Sequence, residues 1–266
     1  MATFDLNNFV IDRIVRGVAL SQKDDSVLFS INQIQNASLN CASESTDAVD
    51  AMGTPIATFY RAKTAEFSAE NALFDMNLMA TQLGTEKKVA SSDKKVVVPA
   101  MESFTVVEGG KYTLKHTALA APAEIYAIND DSTFGVKYKN GALQDPAVTT
   151  PTADLFVYTE VDNTISLPTG LAVGTEMFVM YEYESEQAVE VVNSAKNFPV
   201  GCKFIMEVLG CDVCDQTNLI YAYVIFNNAK LSPDFDWSIA TDGAHPFSMK
   251  AQQDYCDKEK RFGLAA

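Results

Sequence analysis

Hydrophobic and polar residues alternate along most of this chain, which is the period of a half-buried strand and predicts a mainly β protein. Residues 26–34 alternate from Val27 to Ile31 and then slip by one position, which indicates a strand with a bulge. Other runs are rich in strand-forming residues. We predict strands of one antiparallel β-sandwich or barrel near 26–41, 56–67, 203–210 and 218–231, with further strands over 229–239 and 246–251.

One stretch changes to the period of a helix. Apolar residues recur at steps of three and four at Leu73, Met76, Ala80 and Leu83. The spacing predicts one flanking helix over 68–83, with Ser68 as its N-cap, Glu70 in its first turn and Gly84 at its C-terminal stop.

The middle of the chain has short strand-length runs separated by Gly, Pro, Asn and Asp, a pattern typical of a β-sandwich. Residues 103–107 and 112–114 flank Gly109 and Gly110, which predicts a hairpin. This segment resembles an immunoglobulin-like insertion. The predicted strands lie near 94–99, 103–107, 111–116, 123–128, 134–139, 154–159, 164–167 and 176–183.

The charge distribution divides the chain into three blocks. Residues 1–95 contain 12 acidic and 9 basic residues, residues 96–186 contain 13 and 4, and residues 187–266 contain 10 and 7. The net charges are therefore −3, −9 and −3. This pattern predicts a discontinuous domain formed by 1–95 and 187–266, interrupted by an inserted domain over 96–186.

The net charge of −15 argues against a protein that grips nucleic acid, because that requires clustered Lys and Arg. Two histidines without metal-ligand spacing make ordinary hydrolase chemistry less probable. The sequence has no stretch of 18 uncharged apolar residues and no basic region followed by an apolar run at its start, so we expect neither a membrane span nor a secretory signal.

The spacing of Cys211 and Cys214 would let two thiolates share a zinc ion or form a redox disulfide. A zinc site would need two more ligands, from Cys41, Cys202, Cys256 or a carboxylate. A redox motif would need a helix N-terminus, whereas this pair lies between two predicted strands. Structural or incidental cysteines are therefore favoured over both alternatives.

Carboxylates cluster around the single tryptophan, with Asp234, Asp236 and Asp242 near Trp237. Such a pair could serve a glycosidase as acid and base, but a solvated strand edge or turn is favoured in so acidic a chain. Residues 129–133 could offer oxygen ligands to calcium, but they lack the Gly and final Glu of an EF-hand loop and are interpreted as a polar turn. We predict no catalytic, cofactor-binding or metal-binding residue, and no cofactor.

Two stretches carry a family resemblance. The first is residues 52–71, and the second is residues 229–237 followed by Asp242 and Gly243. Together they resemble major tail proteins, the tube-forming subunits of long-tailed bacteriophages. The resemblance implies a tail-tube-like β-sandwich with one flanking helix, hexameric rings whose inner strands join as one barrel, and stacking of these rings into a tube that conducts DNA. Some members carry an immunoglobulin-like domain on the outside.

From the resemblance we expect a structural virion protein without catalysis, located in the phage tail and assembled in the host cytoplasm. Its expected partners are further copies of itself and other tail proteins such as sheath, terminator or baseplate subunits. DNA would pass through the lumen without specific binding, because basic side chains there would hold the duplex. Residues 1–25 and 41–53 would be arms or loops that contact adjacent rings. The alternative functions are a capsid or head-decoration subunit and, less favoured, a metal-dependent or carbohydrate-active enzyme.

Overall fold

The computed structural model describes residues 8–213, 215–252 and 263–265. The chain is mainly β and divides into two compact units. Unit 1 comprises Met1–Lys87 and Val191–Ala266, and unit 2 comprises Lys88–Glu190. The sequence-based division placed these junctions at 95/96 and 186/187. Neither of the helices in the described part of the chain is long and apolar enough to cross a membrane.

The elements follow one another in a single order along the chain. They are β1 (Phe9–Ser21), β2 (Val27–Ile31), β3 (Ile34–Val49), β4 (Pro55–Asn71), α1 (Met76–Leu83), β5 (Lys88–Val89), β6 (Val96–Thr105), β7 (Lys111–Thr113), β8 (Glu124–Ile128), β9 (Phe134–Asn140), α2 (Gly141–Gln144), β10 (Leu155–Thr159), β11 (Thr164–Ser166), β12 (Glu176–Ser185), β13 (Val189–Glu190), β14 (Gly201–Asp212), β15 (Asp215–Leu231), β16 (His245–Ala251) and β17 (Gly263–Ala265).

Unit 1 is built on one sheet with the strand order β2-β1-β14-β15-β16-β4-β3, in which every neighbouring pair is antiparallel. The short strand β17 pairs with β15 at Tyr223–Ile225, in line with β16, which pairs with β15 at Ala229–Leu231. One position in the sheet is therefore shared by two short strands placed end to end.

Five phenylalanine rings hold this sheet together. They are Phe29, Phe67, Phe204, Phe226 and Phe247, and the centroids of the rings in contact are 5.7 to 6.4 Å apart. The rings come from strands that are far apart in the sheet order, so the sheet curls around its own core. Each ring is almost fully buried, and this apolar burial is the main stabilising contribution to unit 1.

The helix prediction was wrong at its N-terminus. Helix α1 begins at Met76, where the side chain of Asp75 accepts a hydrogen bond of 2.7 Å from the backbone N–H of Leu78. Residues 68–71 complete β4 instead, because Ala65–Asn71 alternate buried and more exposed positions with the period of a strand. The predicted stop is correct, since Gly84 adopts a left-handed conformation with φ of 65°.

Two segments predicted as arms or loops are ordered strands. Within 1–25, residues 9–21 form β1 between β2 and β14, while residues 1–7 lie outside the described residues. Within 41–53, β3 continues to Val49 and pairs with β4. The strand predicted over 229–239 ends at Leu231, two residues before Pro233, which has no backbone N–H to continue a ladder.

Unit 2 is a seven-stranded sheet with the order β6-β12-β8-β9-β10-β11-β7, and it encloses a second apolar core. The hairpin predicted around Gly109 and Gly110 was wrong, because β6 pairs with β12 over ten residues and β7 pairs with β11. The strands predicted near 94–99 and 103–107 are one strand, β6. Both predictions failed because β6 and β7 pair with strands that are distant in the sequence. Such pairing partners cannot be identified from the turn residues Gly109 and Gly110 alone.

A buried carboxylate fixes the start of β7 to β6 and β12. Glu102 is 4 % exposed and accepts hydrogen bonds from the hydroxyls of Tyr112, at 2.6 Å, and Tyr181, and from the backbone N–H of Lys115, at 3.1 Å. Burial, followed by the hydrogen bond to Glu102, raises the pKa of Tyr112 to about 12. Because the carboxylate is fully engaged with donors from this unit, Glu102 has a structural role.

We expect Gly84→Ala to destabilise unit 1 by more than about 2 kcal/mol, because the position combines a left-handed backbone with no room for a methyl group. A Cβ there would lie 2.2 Å from the carbonyl oxygen of Phe198. The measurement is urea unfolding followed by the fluorescence of Trp237, the only tryptophan. The matched control is Gly53→Ala, where φ is 84° but no atom lies within 4 Å of an added Cβ. The expected loss in the free energy of unfolding is therefore only about 1 kcal/mol. Equal losses in the two variants would contradict the packing argument.

Candidate functional site

The long hairpin formed by β3 and β4 is the most exposed feature of unit 1. Every residue from Gln35 to Thr64 is exposed, on both faces of the two-stranded ribbon. Only the last part of β4, from Ala65 onward, packs on the core and pairs with β16. A two-stranded ribbon alone in water is marginally stable at best, so this hairpin is expected to need a covering surface.

The turn of the hairpin is well defined. Asp50 accepts backbone hydrogen bonds from Thr54 at 2.9 Å and from Met52 at 2.8 Å, and these contacts lower the pKa of its carboxyl group. Gly53 supplies the positive φ that the turn requires. The segment 41–53, predicted as an arm or loop, is thus the end of β3 and a turn with its own hydrogen bonds at the tip of a paired ribbon.

The ribbon carries apolar side chains that a solvated hairpin does not need. Ile56 and Tyr60 are each 70 % exposed, and Phe59 is 56 % exposed. Tyr60 pairs across the ribbon with Ser45, and Phe59 pairs with Thr46, so the two rings lie on opposite faces. Apolar groups are therefore exposed on both faces of the ribbon.

A second exposed apolar region lies at the outer ends of β1 and β15. Val10, Ile11, Leu219 and Tyr221 are each about half exposed. The close approach of β1 to β14 here depends on Gly210, because a Cβ added to Gly210 would lie only 2.5 Å from the ring of Phe9. These four side chains are therefore exposed at the outer ends of β1 and β15, although Phe9 and Ile14 of β1 pack against the phenylalanine core.

A charged cluster joins β1, β14 and β15 around Glu207. Glu207 is 8 % exposed and accepts hydrogen bonds from Arg16 Nε at 2.7 Å and from the Tyr223 hydroxyl at 3.0 Å. The hydrogen bond to Glu207 is the main cause that raises the pKa of Tyr223. Because both partners satisfy the buried carboxylate, this cluster joins the three strands.

The cysteine prediction is only partly covered by the described residues. Cys211 lies in β14 and is half-buried, Cys41 is exposed in β3, and Cys202 is buried, which raises the pKa of its thiol to about 11. Cys214 and Cys256 lie outside the described residues. Within the described residues, no group of three or more His, Cys, Asp or Glu side chains is arranged to hold a metal ion.

The tryptophan region is an aromatic cluster at the start of α1. Trp237 stacks on Phe74 with the ring centroids 4.3 Å apart, and Phe74 in turn stacks on His245 at 5.2 Å. Asp234 and Asp236 line an open cavity of about 330 Å³ beside this cluster. Sequence reasoning singled out Trp237 and its carboxylates but missed His245, whose burial follows from pairing of β16 with the distant strand β4.

His245 is held in its neutral form by its contacts. Its Nε2 lies 2.8 Å from Gln82 Oε1, and the amide nitrogen of Gln82 donates to the carbonyl oxygen of Pro246. Gln82 Oε1 is therefore the acceptor and His245 Nε2 carries the proton. The Asp75 backbone N–H points to His245 Nδ1 at 3.5 Å. Burial lowers the pKa of His245 below its ordinary value of 6.5, against a smaller opposing effect of Asp75.

A family model described as the YomU/Tube protein family matches residues 9–260. No curated protein matches the chain.

We expect the stability of unit 1 to fall as the pH drops below about 6.5, because His245 has a lowered pKa when folded and the unfolded chain then binds more protons. The stabilising contribution of neutral His245 is fully present above the pKa that this histidine has in the unfolded chain. It is lost as the pH falls through the lower pKa that His245 has in the folded chain. Urea unfolding of His245→Gln, followed by Trp237 fluorescence between about pH 7.5 and 5.5, should show a weaker pH dependence. His116 is an exposed histidine of unit 2. The control variant is therefore His116→Gln, which should leave the pH dependence of the stability of unit 1 unchanged. An undiminished slope in His245→Gln would contradict the assignment.

Proposed function

Because this chain belongs to the YomU/Tube protein family, a phage tail tube protein family, and is thus a structural protein of a phage tail, we propose that its copies assemble as stacked, hexameric rings. We propose further that the resulting tube is the conduit for DNA ejection. In this role the chain has no catalytic activity. Rings would form in the host cytoplasm and remain in the virion.

The exposed hairpin is the observation that carries this proposal. A ribbon of thirty exposed residues, Gln35–Thr64, with apolar side chains on both faces is costly for a solitary molecule. Contacts with identical neighbours would bury both faces, and an assembly of many copies offers each hairpin two such contacts. A closed cylinder of strands also removes free sheet edges, which otherwise invite uncontrolled association.

The charge of the chain supports passage of DNA rather than binding. Unit 1 contains 20 acidic and 13 basic residues, and unit 2, Lys88–Glu190, contains 15 and 7. Both units are therefore net negative, at −7 and −8. An acidic lumen repels phosphate groups and gives a moving duplex few cations to bind.

We propose that unit 2 is an immunoglobulin-like module on the outside of the tube. Its seven strands enclose their own core, as a sandwich domain requires. The parallel pair β9 and β10 is a departure from a purely antiparallel sheet. An external module of this kind would be free to contact other tail proteins, such as sheath, terminator or baseplate subunits.

We expect Ile56→Asp to abolish tube or ring formation while the subunit stays folded. The side chain is 70 % exposed in the single chain, so the change costs little there but places an unpaired carboxylate in the proposed contact. Negative-stain electron microscopy and light scattering would show dispersed subunits, with unaltered Trp237 fluorescence. Val161→Asp in unit 2, at a side chain that is 94 % exposed, is the matched control and should assemble normally.

Shells or isolated capsomers from the unaltered chain would favour a head protein instead. A stable monomer at high concentration, or normal tubes from Ile56→Asp, would contradict the proposed assembly role of the hairpin.

A further inference from the structure

Unit 2 contains an open cavity of about 640 Å³. Three separate parts of the unit line it, namely Lys95 just before β6, the segment 116–119 between β7 and β8, and residues 183–187 at the end of β12. Its volume lies in the range of sites that hold a small molecule. The proposed function does not use this cavity, because the assembly argument concerns the hairpin of unit 1.

One wall of the cavity is an aromatic platform. The imidazole ring of His116 lies parallel to the ring of Tyr183, with the centroids 4.0 Å apart and 7° between the ring planes. Tyr183 is half-buried and packs against the apolar core of unit 2, whereas His116 is exposed. Tyr183 therefore covers one face of the imidazole, and the opposite face is left for a flat ligand to stack on.

The backbone around the platform is fixed by hydrogen bonds. The N–H of His116 donates to the Tyr181 hydroxyl at 3.0 Å, and the carbonyl oxygen of His116 accepts from Asn163 Nδ2 at 2.9 Å. The N–H of Leu119 donates to the carbonyl oxygen of Glu182 at 2.7 Å. A wall that is already ordered in this way loses little conformational entropy when a ligand binds.

Polar groups around the platform have unused hydrogen-bonding capacity. Lys95 Nζ lies 3.7 Å from Glu184 Oε2 and 3.7 Å from Glu186 Oε1, which is an ion-pair distance but too long for a hydrogen bond. Within the described residues, the side chains of Thr117 and Gln187 also make no hydrogen bond. The rim therefore offers an ammonium, two carboxylates, an amide and a hydroxyl to one ligand.

This combination of groups fits a sugar ring. A pyranose with equatorial hydroxyl groups presents C–H bonds on its faces, which pack on an aromatic ring, and hydroxyl groups around its edge. Each hydroxyl both donates and accepts hydrogen bonds, so it matches a rim on which donors and acceptors lie side by side.

The charges of the rim narrow the class of ligand. One ammonium and two carboxylates give the rim a net charge of −1, which disfavours an anionic sugar. Lys95 already lies between the two carboxylates, where the cationic side chain of a protein partner would need to bind. A neutral ligand therefore fits better than an anion or a cation.

From these observations we propose that the cavity is a saccharide-binding site, in which a neutral pyranose ring stacks on His116 and its hydroxyl groups bond to Lys95, Glu184 and Glu186. This activity goes beyond the proposed function and does not depend on assembly, since unit 2 alone supplies the site. An open cavity covers only part of its ligand, and a neutral sugar brings no charge, so the expected dissociation constant is about 1 mM.

Titration of the full chain with glucose, followed by saturation-transfer difference NMR, tests the site. His116→Ala should weaken binding at least about tenfold because it removes the platform, whereas His116→Phe keeps a flat ring and should retain binding. The matched control is Phe134→Ala, which removes a 61 % exposed ring of unit 2 that does not line the cavity. This control should bind glucose normally. Circular dichroism checks that each variant is folded.

Glucuronate tests the charge of the rim, because it is the same ring with a carboxylate in place of one hydroxymethyl group. It should bind at least about fivefold more weakly than glucose. Glu186→Gln removes one negative charge while keeping an acceptor oxygen, so it should reduce this difference. Equal binding of glucuronate and glucose to the unaltered chain would contradict the assigned role of the rim.

Cellotriose, a linear trimer of glucose, distinguishes a glycan chain from a single ring. Tighter binding of the trimer than of glucose would assign the cavity to a chain, and equal binding would assign it to one terminal ring. No binding of either sugar at about 50 mM, or full binding to His116→Ala, would overturn the proposal. Binding of arginine amide instead of the sugars would also overturn it and would assign the cavity to a basic segment of a protein partner.

Discussion

The requirement that every backbone N–H and C=O group finds a partner governs the organisation of unit 1. Around the phenylalanine core this pairing is made within one chain, because the eight strands of the sheet bond to one another and curl over the buried rings. Beyond that core β3 and β4 continue as a two-stranded ribbon that no second layer covers within the described residues. Strand β4 thus serves two purposes, since its end from Ala65 onward packs on the core and its first part belongs to a surface that a single chain leaves exposed.

The two units deal with their sheet edges in different ways. Strand β6 is an edge of unit 2, and Pro99 lies near its middle, where it removes a backbone donor and discourages a further strand. Strand β3 is an edge of unit 1, is longer and contains no proline. Protection of one edge and exposure of the other is consistent with association through unit 1 and with a unit 2 that does not add strands from its neighbours.

The mainly β class could be predicted because it depends on local alternation, and the stop of α1 because Gly84 has a local conformational role. The start of α1 could not, since the steps from Leu73 to Leu83 fit a helix while the alternation of Ala65–Asn71 continued a strand. Pairing of β16 with β4 decided between them. The same limit applies to the surface that we propose for assembly. Exposed residues such as Ile56 and Tyr60 look like core residues in a sequence, and only the missing second layer marks them as surface.

The small ladder between β5 and β13 joins Lys88 to Glu190 and Val89 to Val189, so the chain enters and leaves unit 2 through adjacent strands. Strands paired in this way are about 5 Å apart, a gap that a tight turn can span. Deletion of the whole insertion would consequently leave the two severed ends close enough to rejoin. In evolution such a module can be gained, lost or exchanged without redesign of unit 1, and its gene segment can diversify independently of the rest of the chain.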